Sequence, residues 1–329
     1  MSTFSECRTP RPVSQPRNSC RSQFSIGGVT VEIFGDCPED VALVPSLRAF
    51  ETACDRPDIR MRVEWVPSLT PQNKTQLFDS GTTWRCYQDE AGLEFDFNSP
   101  PFGIRPYKRL QVDPHFKHAT VRMNQSVYAD FPVDPEPLEY PLDELLIMHR
   151  LTQENAIELH ACGIVRSDGI GNLFVGHSGA GKSTTTRLWT EHEPVEVLSD
   201  DRIILRTGDG RTPRNDRTSR AFSMSNRRND SIRMYGTPWH GEARYASPGS
   251  APLATIFILE HGEGNTLTQL APGEAIAELF ARSFVPFHRH EYVEAALEFL
   301  QKVVATIPCY RYRFEPNHSA VDTILDLHH

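Results

Sequence analysis

The sequence predicts an α/β protein in two parts, a smaller, mostly β N-terminal domain followed by an α/β core. Two patterns and one boundary predict it. In the first half, apolar and polar residues alternate with the period of two that suits half-buried strands, as in Val29-Thr30-Val31-Glu32-Ile33 and Ile59 to Trp65. In the second half, short apolar runs are interleaved with longer stretches of helical spacing, which indicates strands mixed with helices. Between them lies the proline-rich segment Phe131-Pro132-Val133-Asp134-Pro135-Glu136-Pro137. The expected division is a tail over 1–22, a β domain over 23–135 and an α/β domain over 136–329.

The tail is polar and dotted with prolines, so it has little to bury and is expected to be flexible. Strands are expected from Phe24 onward. Trp84 to Tyr87 and Leu93 to Phe97 flank a turn-like Gln88-Asp89-Glu90-Ala91-Gly92 and read as a hairpin. Leu110 to Val112 and Ala119 to Met123 add further strands, for a mostly antiparallel domain with no catalytic constellation. The second domain opens with a helix from Pro141 to about Gln153, then a strand over Ile157 to Val165 and a turn at Ser167-Asp168-Gly169. Leu173 to Val175 reads as a short buried strand and Lys182 to Glu191 as a helix. Val195 to Leu205 reads as a strand interrupted by two aspartates. Then come a strand over Thr255 to Leu259, helices after Pro272 and over Tyr292 to Ala305, a strand over Cys309 to Phe314 and a closing helix over Ser319 to Leu327.

Composition excludes several classes. No run of 18 apolar residues is present, so no helical membrane span is expected, and the first twenty residues lack the apolar centre of a secretory signal. Seven scattered cysteines without C-x-x-C pairs suit free thiols in the cytoplasm rather than a disulfide framework or zinc site. A net charge of −9 argues against a general nucleic-acid binder. Lysine occurs at only five positions (Lys74, Lys108, Lys117, Lys182, Lys302), so 29 of the 34 basic residues are arginine. A chain that nearly always uses arginine keeps a lysine at 182.

That lysine stands in Gly176-His177-Ser178-Gly179-Ala180-Gly181-Lys182-Ser183, which fits G-x-x-x-x-G-K-[ST] at every specified position, with Thr184 following. Gly176, Gly179 and Gly181 let the backbone curl so that successive N–H groups, including those at Ser178 and Ala180, face phosphate oxygens. The helix that follows adds its positive end. Lys182 is a mobile point charge for the β and γ phosphates, and the Ser183 hydroxyl suits Mg²⁺. The competing reading is a glycine loop that only turns the chain. The preceding apolar strand and following helix favour a nucleotide, ATP with Mg²⁺.

One strand later comes Ser199-Asp200-Asp201-Arg202. Adjacent residues of a strand face opposite ways, so two carboxylates there have different jobs. One can hold the metal while the other takes a proton from an attacking hydroxyl; the plainer alternative is an acidic strand end in water. His160, on the strand before the loop's own strand, is placed to tune one of these carboxylates, although a histidine in a strand is more often a hydrogen-bonded core residue.

Taken together, His160, the loop and Asp200-Asp201-Arg202 resemble the family of HPr kinase/phosphorylase and its relatives, which share a nucleotide-binding fold with the phosphoenolpyruvate carboxykinases. The resemblance covers about residues 140 to 329. It implies a P-loop-containing, carboxykinase-like nucleotide-binding core preceded by the β domain. It further implies that Asp200 is the base that activates the acceptor, assisted by His160, and that Asp201 and Ser183 hold magnesium. No segment matches the HPr-docking elements of the bacterial regulator, so HPr itself is not the expected substrate. What remains is similar to the small branch whose members phosphorylate free serine or a serine in a ribosomally made peptide.

Gly236-Thr237-Pro238-Trp239-His240-Gly241-Glu242 is expected to be an active-site loop that presents Trp239 and His240, with His240 counted among the catalytic residues; an ordinary turn is the alternative. Between Arg206 and Arg233 stand 8 arginines and 3 aspartates, either a solvated insertion or a lid over the phosphates. Three functions compete at this point. They are a kinase acting on a hydroxyl of a peptide, protein or small molecule, a carboxykinase-like lyase acting on oxaloacetate, and a nucleotide-gated binding protein, any of them compatible with a homo-oligomer. The adjacent carboxylates favour the kinase, because a pure switch needs only the metal ligand.

Overall fold

The computed structural model describes residues 20–103, 105–131, 136–208 and 231–328. The expected tail over 1–19 and most of the arginine-rich segment, over 209–230, lie outside the described residues. Residues 20–22, assigned to the tail, instead begin the first strand.

The first sheet contains eight strands, β1 (Cys20–Ile26), β2 (Val29–Gly35), β3 (Ile59–Val66), β4 (Gln76–Asp79), β5 (Trp84–Asp89), β6 (Gly92–Phe97), β7 (Lys108–Val112) and β8 (His118–Asn124). Their order is β1-β2-β3-β8-β7-β6-β5-β4. The β2–β3 and β3–β8 pairs are parallel and the rest antiparallel. The alternation expected in β3 is present: Ile59, Met61 and Val63 are buried while Arg60 and Arg62 are exposed. A short helix α1 (Gln125–Asp130) follows the last strand.

The buried face of this sheet is covered by α2 (Leu142–Leu151), which contributes Leu142, Leu145, Leu146, Ile147 and Leu151 to one core with Phe24, Phe95, Phe97 and Met123. That core does not stop at the expected boundary near 135. It runs on to Ile204, Tyr235 and Trp239.

Beyond α2 the chain forms β9 (Ala156–Val165), β10 (Gly171–Val175), α3 (Lys182–His192), β11 (Glu196–Ser199), β12 (Arg202–Thr207), β13 (Ile232–Tyr235) and β14 (Ser250–His261). Then come β15 (Thr266–Gln269), α4 (Pro272–Phe280), β16 (Ser283–Phe284), α5 (His290–Thr306), β17 (Cys309–Phe314) and α6 (Ser319–Leu325). Five of these strands close on one another: β10 pairs with β9, β9 with β12, β12 with β13, β13 with β14, and β14 back to β10. The 12-residue β14 makes closure possible, pairing with β13 through Ser250 to Pro252 and with β10 through Leu253 to Ile258. Its far half also pairs in parallel with β17, which carries β15 on its other edge.

Two cores flank this ring. One holds Leu159, Leu173, Ile203 and Ile256 against α4 and α5. The other packs Leu188 and Trp189 of α3 and Val321 and Ile324 of α6 against Phe174, Phe257 and Tyr312. The strands β10, β14 and β17 run parallel, so their ends lie together where β10 passes into the glycine loop. Among the described residues no helix is long and apolar enough to cross a membrane.

Candidate functional site

The site begins where β10 ends. Val175 is buried, Gly176 starts the loop, and α3 opens at Lys182 with Gly181 as its N-cap. No side chain caps that end, so the first-turn N–H groups face the loop. The glycines are needed for shape. Gly179 and Gly181 have φ of 80° and 102°, values that other residues rarely adopt, and a Cβ on Gly176 would stand 2.7 Å from that of Ala180. Ser178, Gly179 and Ser183 are exposed, and Ala180 and Thr184 half-buried.

Lys182 is buried and folds back over its own loop. Its Nζ donates to the carbonyls of Gly176 at 3.0 Å and His177 at 3.2 Å, and lies 2.8 Å from His160 Nε2. Burial lowers its pKa, while Asp201 opposes that shift. His160 Nε2 is also 2.8 Å from Asp201 Oδ1, and Lys182 Nζ is 4.0 Å from the same oxygen. The backbone enforces this grouping: Arg202 pairs with His160 across β12 and β9, Ala161 N–H donates to Asp201 O at 3.1 Å, and Gly176 N–H donates to His160 O at 3.3 Å.

One ring nitrogen carries either a proton or a lone pair, so His160 Nε2 cannot donate to Asp201 and accept from Lys182 at once. The Lys182 ammonium and the Asp201 carboxylate therefore compete for that one nitrogen.

Asp201 is further held by Arg202, which donates to its second oxygen. Burial raises the Asp201 pKa, but the His160 hydrogen bond and the Arg202 charge outweigh it and leave the carboxyl below its ordinary value. Arg202 is itself clamped, with Nε 3.0 Å from Glu144 Oε1 and 3.5 Å from Glu158 Oε1, and its guanidinium 4.0 Å from the Phe284 ring centroid. Glu158 is fully buried, and burial together with Glu144 pushes its pKa well up.

Asp200 goes elsewhere, which corrects the expected pairing of Asp200 with His160. Its carboxylate is 1% exposed and accepts from the backbone N–H groups of Gly241 at 3.0 Å, Ala243 at 2.8 Å and Tyr245 at 3.2 Å. The cause is local. Ser199 Oγ accepts from the N–H groups of both Asp201 and Arg202 at 3.2 Å, and this side-chain turn breaks the strand between β11 and β12. Asp200 thereby points at the 241–245 turn and Asp201 at the loop.

The expectation that the Gly236–Glu242 loop presents Trp239 is also corrected. Trp239 is not presented to solvent: it is buried in the first core and its Nε1 donates to Asp143 Oδ2 at 2.9 Å. Thr237 Oγ1 donates to Arg202 O at 2.8 Å and Ser199 Oγ to Trp239 O at 3.2 Å, which fastens the loop beside the aspartates. His240 is exposed, and its Nδ1 lies 3.0 Å from Gly241 O within its own loop. Among the described residues no hydrogen bond joins it to Lys182, His160 or Asp201.

Sequence reasoning did not reach Glu144, Glu158 or Phe284 around Arg202, nor His261, whose Nε2 lies 2.6 Å from Gly179 O. His261 and Phe314 flank the loop at Gly181, whose missing Cβ would stand 2.7 Å from Phe314 Cζ. No short-range pattern links these positions to the loop; they arrive by strand pairing. No protein-family model matches the chain, and a search of curated proteins returns no match.

Proposed function

We propose that this chain is an ATP-dependent kinase, related to HPr kinase/phosphorylase and built on a carboxykinase-like core, that passes the γ-phosphoryl group to a hydroxyl. The acceptor class is a serine-like alcohol, free or within a peptide or protein. The observation that carries the reading is the meeting of Lys182, His160 and Asp201 at the mouth of the Gly176–Ser183 loop. A structural glycine turn has no use for a buried lysine set against a histidine–carboxylate pair.

Magnesium fits the residues present. The ion keeps several waters and takes only one or two protein ligands beside the phosphates. Asp201, partly exposed, and the exposed Ser183 hydroxyl would hold it. When bound it neutralises charge on the β and γ phosphates.

The protein's own steps follow from that competition for His160 Nε2. Triphosphate draws Lys182 away from the Gly176 and His177 carbonyls and from His160, which leaves His160 Nε2 facing Asp201 Oδ1 alone. The acceptor oxygen then bonds to the γ-phosphorus as the bond from that phosphorus to the β–γ bridging oxygen breaks. ADP leaves with the electron pair, and the acceptor proton passes to the His160–Asp201 pair. Asp201 Oδ1, already at hydrogen-bond distance, stabilises the imidazolium. Asp200 anchors the 241–245 turn and takes no proton.

Incubation of the full chain with γ-labelled ATP, magnesium and serine, serine peptides or oxaloacetate tests this. Label on a hydroxyl is the expected result. Decarboxylation of oxaloacetate with formation of phosphoenolpyruvate, or phosphate release alone, would replace the kinase reading with a lyase or a nucleotide-gated protein.

A further inference from the structure

Arg282 stands outside the loop and the aspartate motif, between α4 and β16. Its backbone carbonyl accepts from His160 N–H at 2.8 Å. The carbonyl of that same His160 accepts from Gly176, the first loop residue. The peptide of His160 thus has Arg282 on one side and the phosphate loop on the other, an arrangement made by pairing of Ser283 with Leu159 and Phe284 with Glu158.

The Arg282 side chain is nine-tenths buried, and its Nε has no hydrogen-bond partner. Its NH1 group holds the Glu278 carbonyl at 2.8 Å and the Glu278 carboxylate. That carboxylate has a second cation, since Arg311 NH2 lies 3.0 Å from its other oxygen and is also bound by Glu260 and Glu274. Glu278 therefore keeps a cation if Arg282 leaves. The Arg282 charge is also the main reason, with burial second, that the His177 imidazole in the loop titrates below its ordinary value. Arg282 is thus a buried guanidinium with an unpartnered Nε, and its one carboxylate partner has a second cation.

We propose that Arg282 is a catalytic residue of the transfer: it leaves Glu278 and takes an equatorial oxygen of the γ-phosphoryl group. The inference rests on the kinase reading. It assigns Lys182 to holding the triphosphate and Arg282 to the charge that grows in the transition state, the role of an arginine supplied in cis in other phosphoryl-transfer enzymes.

The test compares wild type with Arg282→Ala and Arg282→Lys, measuring phosphate transfer or release, affinity for ATP–Mg, and trapping of ADP–Mg with aluminium fluoride. Arg282→Ala is expected to lose about 10³-fold in kcat, as for other arginine fingers. ATP affinity should stay within threefold, trapping should be lost, and millimolar guanidinium ion should restore part of the rate. Arg282→Lys should remain slow with normal ATP affinity, because a point charge does not reproduce the planar fork; it also covers the case in which the alanine variant does not fold. A kcat within threefold of wild type, or ATP affinity falling in step with kcat, would overturn the inference. Wild type that turns over no ATP with water or any acceptor would instead overturn the kinase reading itself.

Discussion

The adjacent aspartates should fail in opposite ways when removed. Asp200→Ala strips the acceptor from three backbone N–H groups, at Gly241, Ala243 and Tyr245. Hydrogen bonds to a charged acceptor are worth roughly 1.5–3 kcal/mol each when dry. Here Gly241 is half-buried and Ala243 and Tyr245 are exposed, so water replaces part of the loss. Discounting for that water to about 1 kcal/mol per donor gives a destabilisation of about 3 kcal/mol, or a fall in Tm of roughly 4 °C for a chain of this size. The surviving folded protein should still bind ATP and transfer phosphate within a few-fold of wild type.

Asp201→Asn removes the anion that would stabilise the His160 imidazolium and hold magnesium. Transfer should drop about 10² to 10⁴-fold, the usual range for lost acid–base catalysis. The magnesium needed for half activity should rise, with Tm nearly unchanged because the side chain is partly exposed. Differential scanning fluorimetry and a magnesium titration of the transfer rate on the same preparations read both effects. Asp200→Ala that is inactive at full stability, beside an active Asp201→Asn, would refute the division of labour and return the base to Asp200.

Three further outcomes follow from the geometry. Lys182→Ala should abolish transfer and weaken ATP binding at least tenfold, whereas an unchanged affinity by fluorescent-nucleotide titration would remove the loop from the site. Trp239→Ala should cost about 3–5 kcal/mol through the cavity and the stranded Asp143, while His240→Ala, whose ring bonds only to its own loop, should leave Tm and transfer nearly unchanged; a tenfold slower His240→Ala would restore His240 as catalytic. His149 is buried between Phe95, Phe116 and Tyr292, and burial, then the neighbouring His288, lower its pKa to about 3. The unfolded chain takes that proton first, so this residue's penalty begins near pH 6.5, grows as pH falls and levels off near 3; denaturant melts at pH 7 and 5 should show wild type losing about 2 kcal/mol more than His149→Phe.

A motif confined to a short contiguous stretch is legible in the amino-acid sequence. The loop's glycines and lysine lie within eight residues, and the long strands and helices follow from periodicity. The four-residue strands β4, β13 and β15 leave no such trace, because four residues hold too little alternation to distinguish them from loops. The closed ring leaves none either, since it depends on β14 pairing with two partners through different halves. Trp239 misleads because a tryptophan between proline and glycine looks like a surface-loop residue. Its partner, Asp143, is 96 positions away.

The aspartate pair shows why the candidate site resists a purely local reading. Asp200 and Asp201 diverge as strand alternation would have them, but neither lies on a strand, and alternation cannot say which of them faces His160. That choice is made by Ser199, whose hydroxyl gathers two N–H groups and ends β11 one residue before the pair. Once the strand breaks there, the face of each aspartate is set by the turn and not by the pleat. Asp201 O then accepts from Ala161 N–H, which brings Asp201 beside His160, and Asp200 falls against the backbone of the 241–245 turn. A serine at 199 therefore does as much to assign the roles as the carboxylates themselves. Ser199→Ala would remove the acceptor that both turn N–H groups use and loosen the contact between His160 and Asp201.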